Sequence, residues 1–200
     1  MNTEKRVTTR TVAVTGMMLA VTLILMFTPL GLIPLPVVSL TTMQIPVVIT
    51  ALAVGPVEGL IVGAGFGIAT LIRAYTAPSG VLDPYFMNPL VSVLPRALIG
   101  LVAYGLYRLI AGKSPSRGRR IVAEGVGAAA GSLTNTLGVL AMLVLLNGSD
   151  MNAMAADAGQ ALLAFVSIPF GLGGLGEAAV SVLISIPVVE GLRKVFGWKA

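Results

Sequence analysis

The sequence predicts an all-α, polytopic membrane protein with six transmembrane helices and both termini in the cytoplasm. Three observations carry this. Of 200 residues, 56% are hydrophobic and 10% are charged, and the mean hydropathy is +0.96. Soluble domains run nearer a quarter charged, so this chain has too few charges to clothe a surface in water, and lipid must be its main solvent. The apolar residues fall into six segments separated by Pro, Gly or charge, and Lys and Arg gather beside those segments, as juxtamembrane anchors do. At about 20 residues per span, the chain is expected to form one integral membrane domain over residues 1–200.

The first span covers about 11–28. Lys5, Arg6 and Arg10 ahead of it would also suit a signal peptide, but the apolar stretch runs on through Pro29, Pro34 and Pro36 with no small-x-small cleavage site. It therefore reads as a retained span. The second segment is short, 43–54, with Pro46 tolerable in a first turn and Gly55-Pro56 closing it. The third, 57–74, leads into a polar turn, Tyr75–Asn88. The fourth, 89–111, precedes a basic loop, Gly112–Arg120, and the fifth covers 122–146. Residues 147–175 carry Asp150 and Asp157, which favour water, and are expected to form a lid over an outward cavity. Pro169 and the glycines at 171, 173, 174 and 176 predict a helix break before a sixth span at 176–192.

With the N-terminus inside, the cytoplasmic ends and loops hold Lys5, Arg6, Arg10, Arg108, Lys113, Arg117, Arg119, Arg120, Arg193, Lys194 and Lys199. Only Arg73 and Arg96 fall in the outer half, beside Asp83, Asp150 and Asp157. That asymmetry satisfies the positive-inside rule. It also explains the net charge of +5 without a nucleic acid partner.

Several chemistries drop out. With no Cys there are no disulfides, thiolate nucleophiles or Cys-metal sites, and with no His the commonest metal ligand and proton shuttle are missing. No close carboxylate pair lies within the spans, so an enzyme lacks its acid–base constellation, and no metal or cofactor is expected. Gly112-Lys113-Ser114 imitates the end of a phosphate-binding loop, but Tyr107 stands where the first glycine belongs, and a helix, not a strand, precedes it. Glu124 and Glu190 are expected to pair with Arg120 and Arg193 at the interface, where Trp198 and Lys199 serve as an anchor. A pore would need polar faces through to both sides, and the stripes here thin out toward the cytoplasm.

Small residues mark the contact faces. Gly59, Gly63 and Gly67, and again Gly127, Gly131 and Gly138, let a neighbouring backbone approach closely. Ala13, Gly16 and Ala20 form a similar patch on the first span, for internal packing or for docking another membrane protein.

Ionisable groups within spans are costly and are usually functional or paired. Arg96 lies about two turns, roughly 10 Å, into the fourth span. Asn88, Ser92 and Arg96 share one face at i, i+4 and i+8. Glu177, with Ser181 and Ser185 continuing its stripe, opens the sixth span, and Asn135 sits mid-span beside Thr134 and Thr136. Arg73 ends the third span. These stripes define one shallow cavity open to the exterior; the alternative is an internal Arg96–Glu177 salt bridge with Asn135 bonding a neighbour. A helix N-terminus at Gly171–Gly176 would add a preference for anions.

Certain stretches are similar to a known family. Gln44-Ile45-Pro46 followed by Gly55-Pro56-Val57-Glu58-Gly59, then Asn88-Pro89-Leu90-Val91-Ser92-Val93-Leu94-Pro95-Arg96, and Gly131-Ser132-Leu133-Thr134-Asn135-Thr136 resemble the substrate-binding (S) components of energy-coupling factor (ECF) vitamin transporters. Gly174-Leu175-Gly176-Glu177-Ala178 resembles the family's opening of helix six, where Asn-Gly-Ile-Pro is the more usual form. The resemblance implies a vitamin bound from outside, a transmembrane coupling subunit, two cytoplasmic ATPases that hydrolyse the ATP, and transport by toppling of the whole subunit in the bilayer of a prokaryotic cell membrane. It adds Gln44 to the substrate-binding set of Arg96, Asn88, Ser92, Asn135, Glu177 and Arg73. It implies that Ala13, Gly16 and Ala20 dock the coupling subunit, with Gly16 and Ala20 in place of the usual two alanines four apart. The segments look most like pantothenate-type members, whose anionic ligand suits two outward arginines. Cobalamin, riboflavin or a pyrimidine precursor is the alternative vitamin, and a stand-alone channel or membrane enzyme the alternative class.

Overall fold

The computed structural model describes residues 8–28, 31–33, 40–78, 82–112, 115–157, 159 and 162–196. Lys5, Arg6, Lys113, Trp198, Lys199 and the prolines at 29, 34 and 36 lie outside the described residues. The elements run α1 (Thr9–Phe27), the two-residue strands β1 (Leu32–Ile33) and β2 (Leu40–Thr41), α2 (Ile45–Ala53), α3 (Pro56–Thr76), a 3-10 turn (Asp83–Met87), α4 (Pro89–Ser92), α5 (Leu94–Ala111), α6 (Arg117–Asp157) and α7 (Leu162–Phe196). The strands pair antiparallel, with Leu32 opposite Thr41. The fold is all-α apart from this short clasp.

Among the described residues, five stretches are long and apolar enough to cross a bilayer: α1, α3, α4 with α5, α6, and Gly173–Phe196 of α7. The second predicted segment differs. At nine residues, α2 rises only about 13 Å, less than half of a hydrocarbon core of about 30 Å. Every residue from Ile45 to Leu52 is buried, with α3, α5, α6 and α7 packed around it. A helix apolar on all sides belongs in a protein core. Val47, Val48 and Leu52 accordingly centre a cluster with Val62, Ile99 and Val189.

The glycine repeats seat the helices against one another. A Cβ on Gly59 would lie 2.6 Å from that of Ala51, and one on Gly67 would lie 2.5 Å from Val93 Cα. On Gly63 it would run into the Arg96 carbonyl oxygen. In α6, a Cβ on Gly127 would lie 2.7 Å from the Ala103 carbonyl, and one on Gly138 2.9 Å from Pro95. Both repeats thus close on α5, the helix that carries Arg96. Gly112, at φ +71, ends α5 in the left-handed conformation, its N–H bonding the Arg108 carbonyl at 3.0 Å.

Two expectations are corrected. The glycines at 171–176 do not interrupt a helix: α7 runs continuously from Leu162 to Phe196. Glycine in a helix costs about 1 kcal/mol, whereas an unpaired backbone group in hydrocarbon costs several, so the helix continues. Glu177 therefore projects from a helix interior, with no helix N-terminus beside it. Of 147–175, the segment expected as a lid, residues 148–157 and 162–175 are helical and belong to α6 and α7. The break falls at Asn147 (φ −134, ψ 32), after which α6 extends to Asp157. Met151 of this extension packs with Val91, Val139 and Leu143 against the 3-10 turn, and Asp150 accepts a hydrogen bond from the Tyr85 hydroxyl at 3.3 Å.

At the basic end, Arg120 grips Glu190 through two bonds of 2.8 and 2.9 Å. Arg193 pairs with the fully buried Glu124, donates to the Leu52 carbonyl at 2.8 Å and lies 5.2 Å from the Tyr107 ring centroid. The expected ion pairs exist, and they fasten α6 and α7 to the C-terminal end of α2.

Gly63→Ala is expected to lower stability by about 1–3 kcal/mol through overpacking against the Arg96 carbonyl, read as a lower melting temperature in detergent. Gly16→Ala, where a Cβ meets nothing within 4 Å, should not lower it. Because the chain has no Cys, one introduced cysteine reports sidedness. Ser116→Cys is expected to be labelled only from the cytoplasm and Thr76→Cys only from outside; the reverse would invert the topology.

Candidate ligand-binding site

Opposite the basic end, α3, α5, α6, α7 and the 3-10 turn enclose a cavity of about 240 Å³. Its polar lining is Arg96, Arg73, Asp83, Glu177, Asn135 and the threonines 41, 70 and 136; its apolar lining includes Met26, Met43, Phe66, Phe86 and Val139. Four of the sequence-predicted residues, Arg96, Asn135, Glu177 and Arg73, thus share one cavity.

The segment 86–96 shows how the chain builds the cationic wall. Pro89 opens α4, and the Asn88 side chain caps it by accepting the Leu90 N–H at 3.0 Å. Six residues later Pro95 has no N–H, so the Val91 carbonyl one turn before it receives no helical bond from that position. Arg96 fills the gap: Nη1 donates to Val91 O at 2.7 Å. The Ser92 hydroxyl donates to the Phe86 carbonyl, which fixes the 3-10 turn against α4. Phe86 is thereby set 5.1 Å from the guanidinium, while Phe66 of α3 stands at 5.7 Å. Arg96 is 6% exposed, and its Nε has no hydrogen-bond partner among the described residues.

Asn88 and Ser92 therefore have different roles from the one their spacing suggested. Asn88 is exposed and caps α4, and Ser92 is fully buried in its bond to Phe86. Neither lines the cavity; both shape the element that presents Arg96.

Glu177 forms the other charged feature. Its Oε1 accepts from Thr41 N at 2.9 Å and Thr41 Oγ1 at 2.6 Å, and its Oε2 from Gln44 Nε2 at 3.2 Å and Thr136 Oγ1 at 3.5 Å. Gln44, fully buried behind the cavity wall, also donates to Ser132 at 3.3 Å. Four donors satisfy the carboxylate without Arg96, and the two charges form no ion pair among the described residues. The internal Arg96–Glu177 bridge is thus replaced by two separately held groups. Nearby, Asn135 is 8% exposed, and its Oδ1 is a buried acceptor with no partner. Two unfilled positions, a donor on Arg96 and an acceptor on Asn135, sit on side chains of the same cavity.

The sequence reading omitted Phe66, Thr70 and Phe86. Phe66 and Thr70 carry a legible signal, since with Arg73 they fall at i, i+4 and i+7 on one face of α3. Phe86 comes from the 3-10 turn and Thr41 from the two-residue strand β2, and no periodicity marks either.

A second surface concerns α1. Ala13, Gly16 and Ala20 are all exposed, and the neighbouring Val12 and Met17 are 58% and 61% exposed. Among the described residues, nothing lies within 4 Å of a Cβ placed on Gly16.

In comparisons with known proteins, residues 10–189 match the family model described as ECF transporter, substrate-specific component. Pantothenate transporter PanT of Leuconostoc mesenteroides subsp. mesenteroides is 29% identical over 142 residues, covering 68% of this chain and 69% of that protein. Pantothenic acid transporter PanT of Lactococcus lactis subsp. cremoris is 25% identical over 174 residues, covering 80% and 81%. Among solved structures, ThiT from Listeria monocytogenes superposes with a TM-score of 0.66 at 17% identity, over 94% of this chain and 97% of that one.

Glu177→Gln tests the four-donor arrangement. Its NH2 group must face either the Thr41 N–H or the Gln44 amide, leaving two donors in opposition. The expected loss is about 1–3 kcal/mol of stability, read as a lower melting temperature with α-helical circular dichroism unchanged.

Proposed function

We propose that this chain, which belongs to the family of ECF transporter substrate-specific components, captures pantothenate from outside the cell. Such components bind a small-molecule vitamin and work with a coupling subunit and ATPases; they are multi-pass proteins of the bacterial plasma membrane and not enzymes. The finer assignment rests chiefly on one observation. Arg96 is buried in the cavity, held by Val91 O and two aromatic rings, with an Nε that has no hydrogen-bond partner among the described residues and no ion pair to Glu177. A ligand carboxylate supplies the missing acceptor, in a charge-assisted bond about twice as strong as a neutral one. Arg73 lines the same cavity. Asn135 Oδ1 takes a ligand hydroxyl or amide N–H, and Thr70 offers a further hydroxyl. The names of the two relatives point the same way.

The other vitamins fit less well. The volume of about 240 Å³ lies below the usual range for drug-sized ligands, roughly 300–1,000 Å³, which disfavours a corrinoid. Phe66 and Phe86 already face the Arg96 guanidinium, which leaves them poorly placed to stack on a flavin. A cationic pyrimidine precursor needs an open carboxylate, and four donors occupy Glu177. We assign the uncovered α1 patch of Ala13, Gly16 and Ala20 to the coupling subunit, and the whole chain to one membrane domain.

In calorimetric titration of the purified chain without any ATPase, pantothenate is expected to bind while riboflavin and cobalamin do not. Arg96→Ala should weaken binding by about 10²–10³-fold, the cost of removing one partner of a buried pair; binding of riboflavin or cobalamin instead would overturn the assignment. Gly16→Leu should leave pantothenate affinity unchanged and abolish co-purification with the coupling subunit. Loss of both together would place Gly16 in the chain's own packing.

A further inference from the structure

At the basic end of the bundle a second cleft, of about 500 Å³, opens between the start of α6 and the end of α7, lined by Arg117, Arg120, Glu190, Gly191, Arg193 and Lys194. Four cations face one carboxylate there, and the four are held in two different ways. Arg120 and Arg193 form a fixed back wall, Arg120 through its two bonds to Glu190 and Arg193 through Glu124, Leu52 O and the Tyr107 ring. Arg117 and Lys194 stand exposed at the front, and neither forms an ion pair or hydrogen bond among the described residues. The carboxylates are thus spent on the back wall, and an excess of positive charge faces outward.

Deeper along the same helices the surface turns apolar. Val122 and Val126 of α6 are 59% and 40% exposed, and Leu183 and Ile184 of α7 are 73% and 41% exposed. Gly125 lies within van der Waals contact of Val182 and Ile186, so the two helices approach closely below the cleft. A cationic cleft at the end of two helices that also expose aliphatic side chains complements an amphiphile with an anionic head.

We infer that this cleft binds the phosphate headgroup of an anionic membrane phospholipid, with Arg117 and Lys194 as its direct ligands and the pinned Arg120 and Arg193 supplying fixed positive potential behind them. Basic pockets between helices at the membrane interface recognise such headgroups by charge. The inference is independent of which vitamin fills the outer cavity.

The test uses the full chain in neutral detergent, titrated with phosphatidylglycerol or phosphatidylcholine, with lipid retention read by native mass spectrometry. Phosphatidylglycerol is expected to be retained in preference. Arg117→Gln/Lys194→Gln should lower its affinity about thirtyfold, with each single change accounting for about fivefold. Arg10→Gln/Arg108→Gln removes as much charge from elsewhere on the same end and should retain the lipid. The melting temperature without lipid should be unchanged in Arg117→Gln/Lys194→Gln, since neither side chain makes a hydrogen bond or ion pair among the described residues. Equal losses in the two double variants would overturn the proposal in favour of diffuse surface charge. Full occupancy by millimolar inorganic phosphate, with no preference for lipid, would make this a free-anion site and overturn it too. So would unchanged lipid retention in the cleft variant together with loss of its partner subunits, which would mark a protein contact.

Discussion

The structure is organised around one expensive group, the guanidinium of Arg96 buried in a membrane protein. Burying a cation costs several kcal/mol unless its donors are met, and the chain meets only part of that demand. Pro95 withholds an N–H from the Val91 carbonyl, Arg96 takes that carbonyl, and the rings of Phe66 and Phe86 stand 5.7 and 5.1 Å from the ion. On the proposed function, a ligand meets the remaining demand. Asn88 and Ser92 hold the turn that places Phe86, and the α3 glycines let Phe66 approach from the other side. A local sequence, Asn-Pro-Leu-Val-Ser-Val-Leu-Pro-Arg, thus encodes a cap, a break and a charge that act as one device.

The second constraint is the absence of water around the backbone. With no solvent to accept broken bonds, α7 passes through its glycines as helix, and α2, too short to span, survives only because other helices enclose it. The two ends of α2 meet the two polar centres of the molecule. Gln44 at its N-terminus bonds Glu177 beside the outer cavity, and Leu52 near its C-terminus accepts from Arg193 at the basic end. This buried rod fixes the spacing between the ligand cavity and the charged end.

Much of this was legible in the sequence. Composition and charge asymmetry suffice for a polytopic all-α fold, because they record the solvent directly. The glycine repeats of α3 and α6 were readable as contact faces, although not which helix each would meet. For the site, Arg96, Arg73, Asn135 and Glu177 stood out because ionisable and amide groups are rare in apolar runs. Asn88 and Ser92 shared their stripe and were assigned to ligand, since helical spacing cannot show that Val93 and Pro95 divide the run into α4 and α5. The break at Gly171–Gly176 was misplaced for a related reason: glycine permits a break, but hydrocarbon around the backbone forbids one. Thr41 and Phe86 were invisible because a two-residue strand and a 3-10 turn are too short to show a period.

The central claim is that Arg96 holds a ligand carboxylate, and the most direct measurement varies both partners of that contact. Affinities of the wild-type chain and Arg96→Gln would be compared for pantothenate and for its alcohol analogue, in which a CH2OH group replaces the carboxylate. The account predicts that the wild type prefers the acid by about 10²-fold or more and that Arg96→Gln loses the preference, giving a coupling energy of roughly 3 kcal/mol. Equal binding of acid and alcohol by the wild type, or a preference that persists in Arg96→Gln, would contradict it.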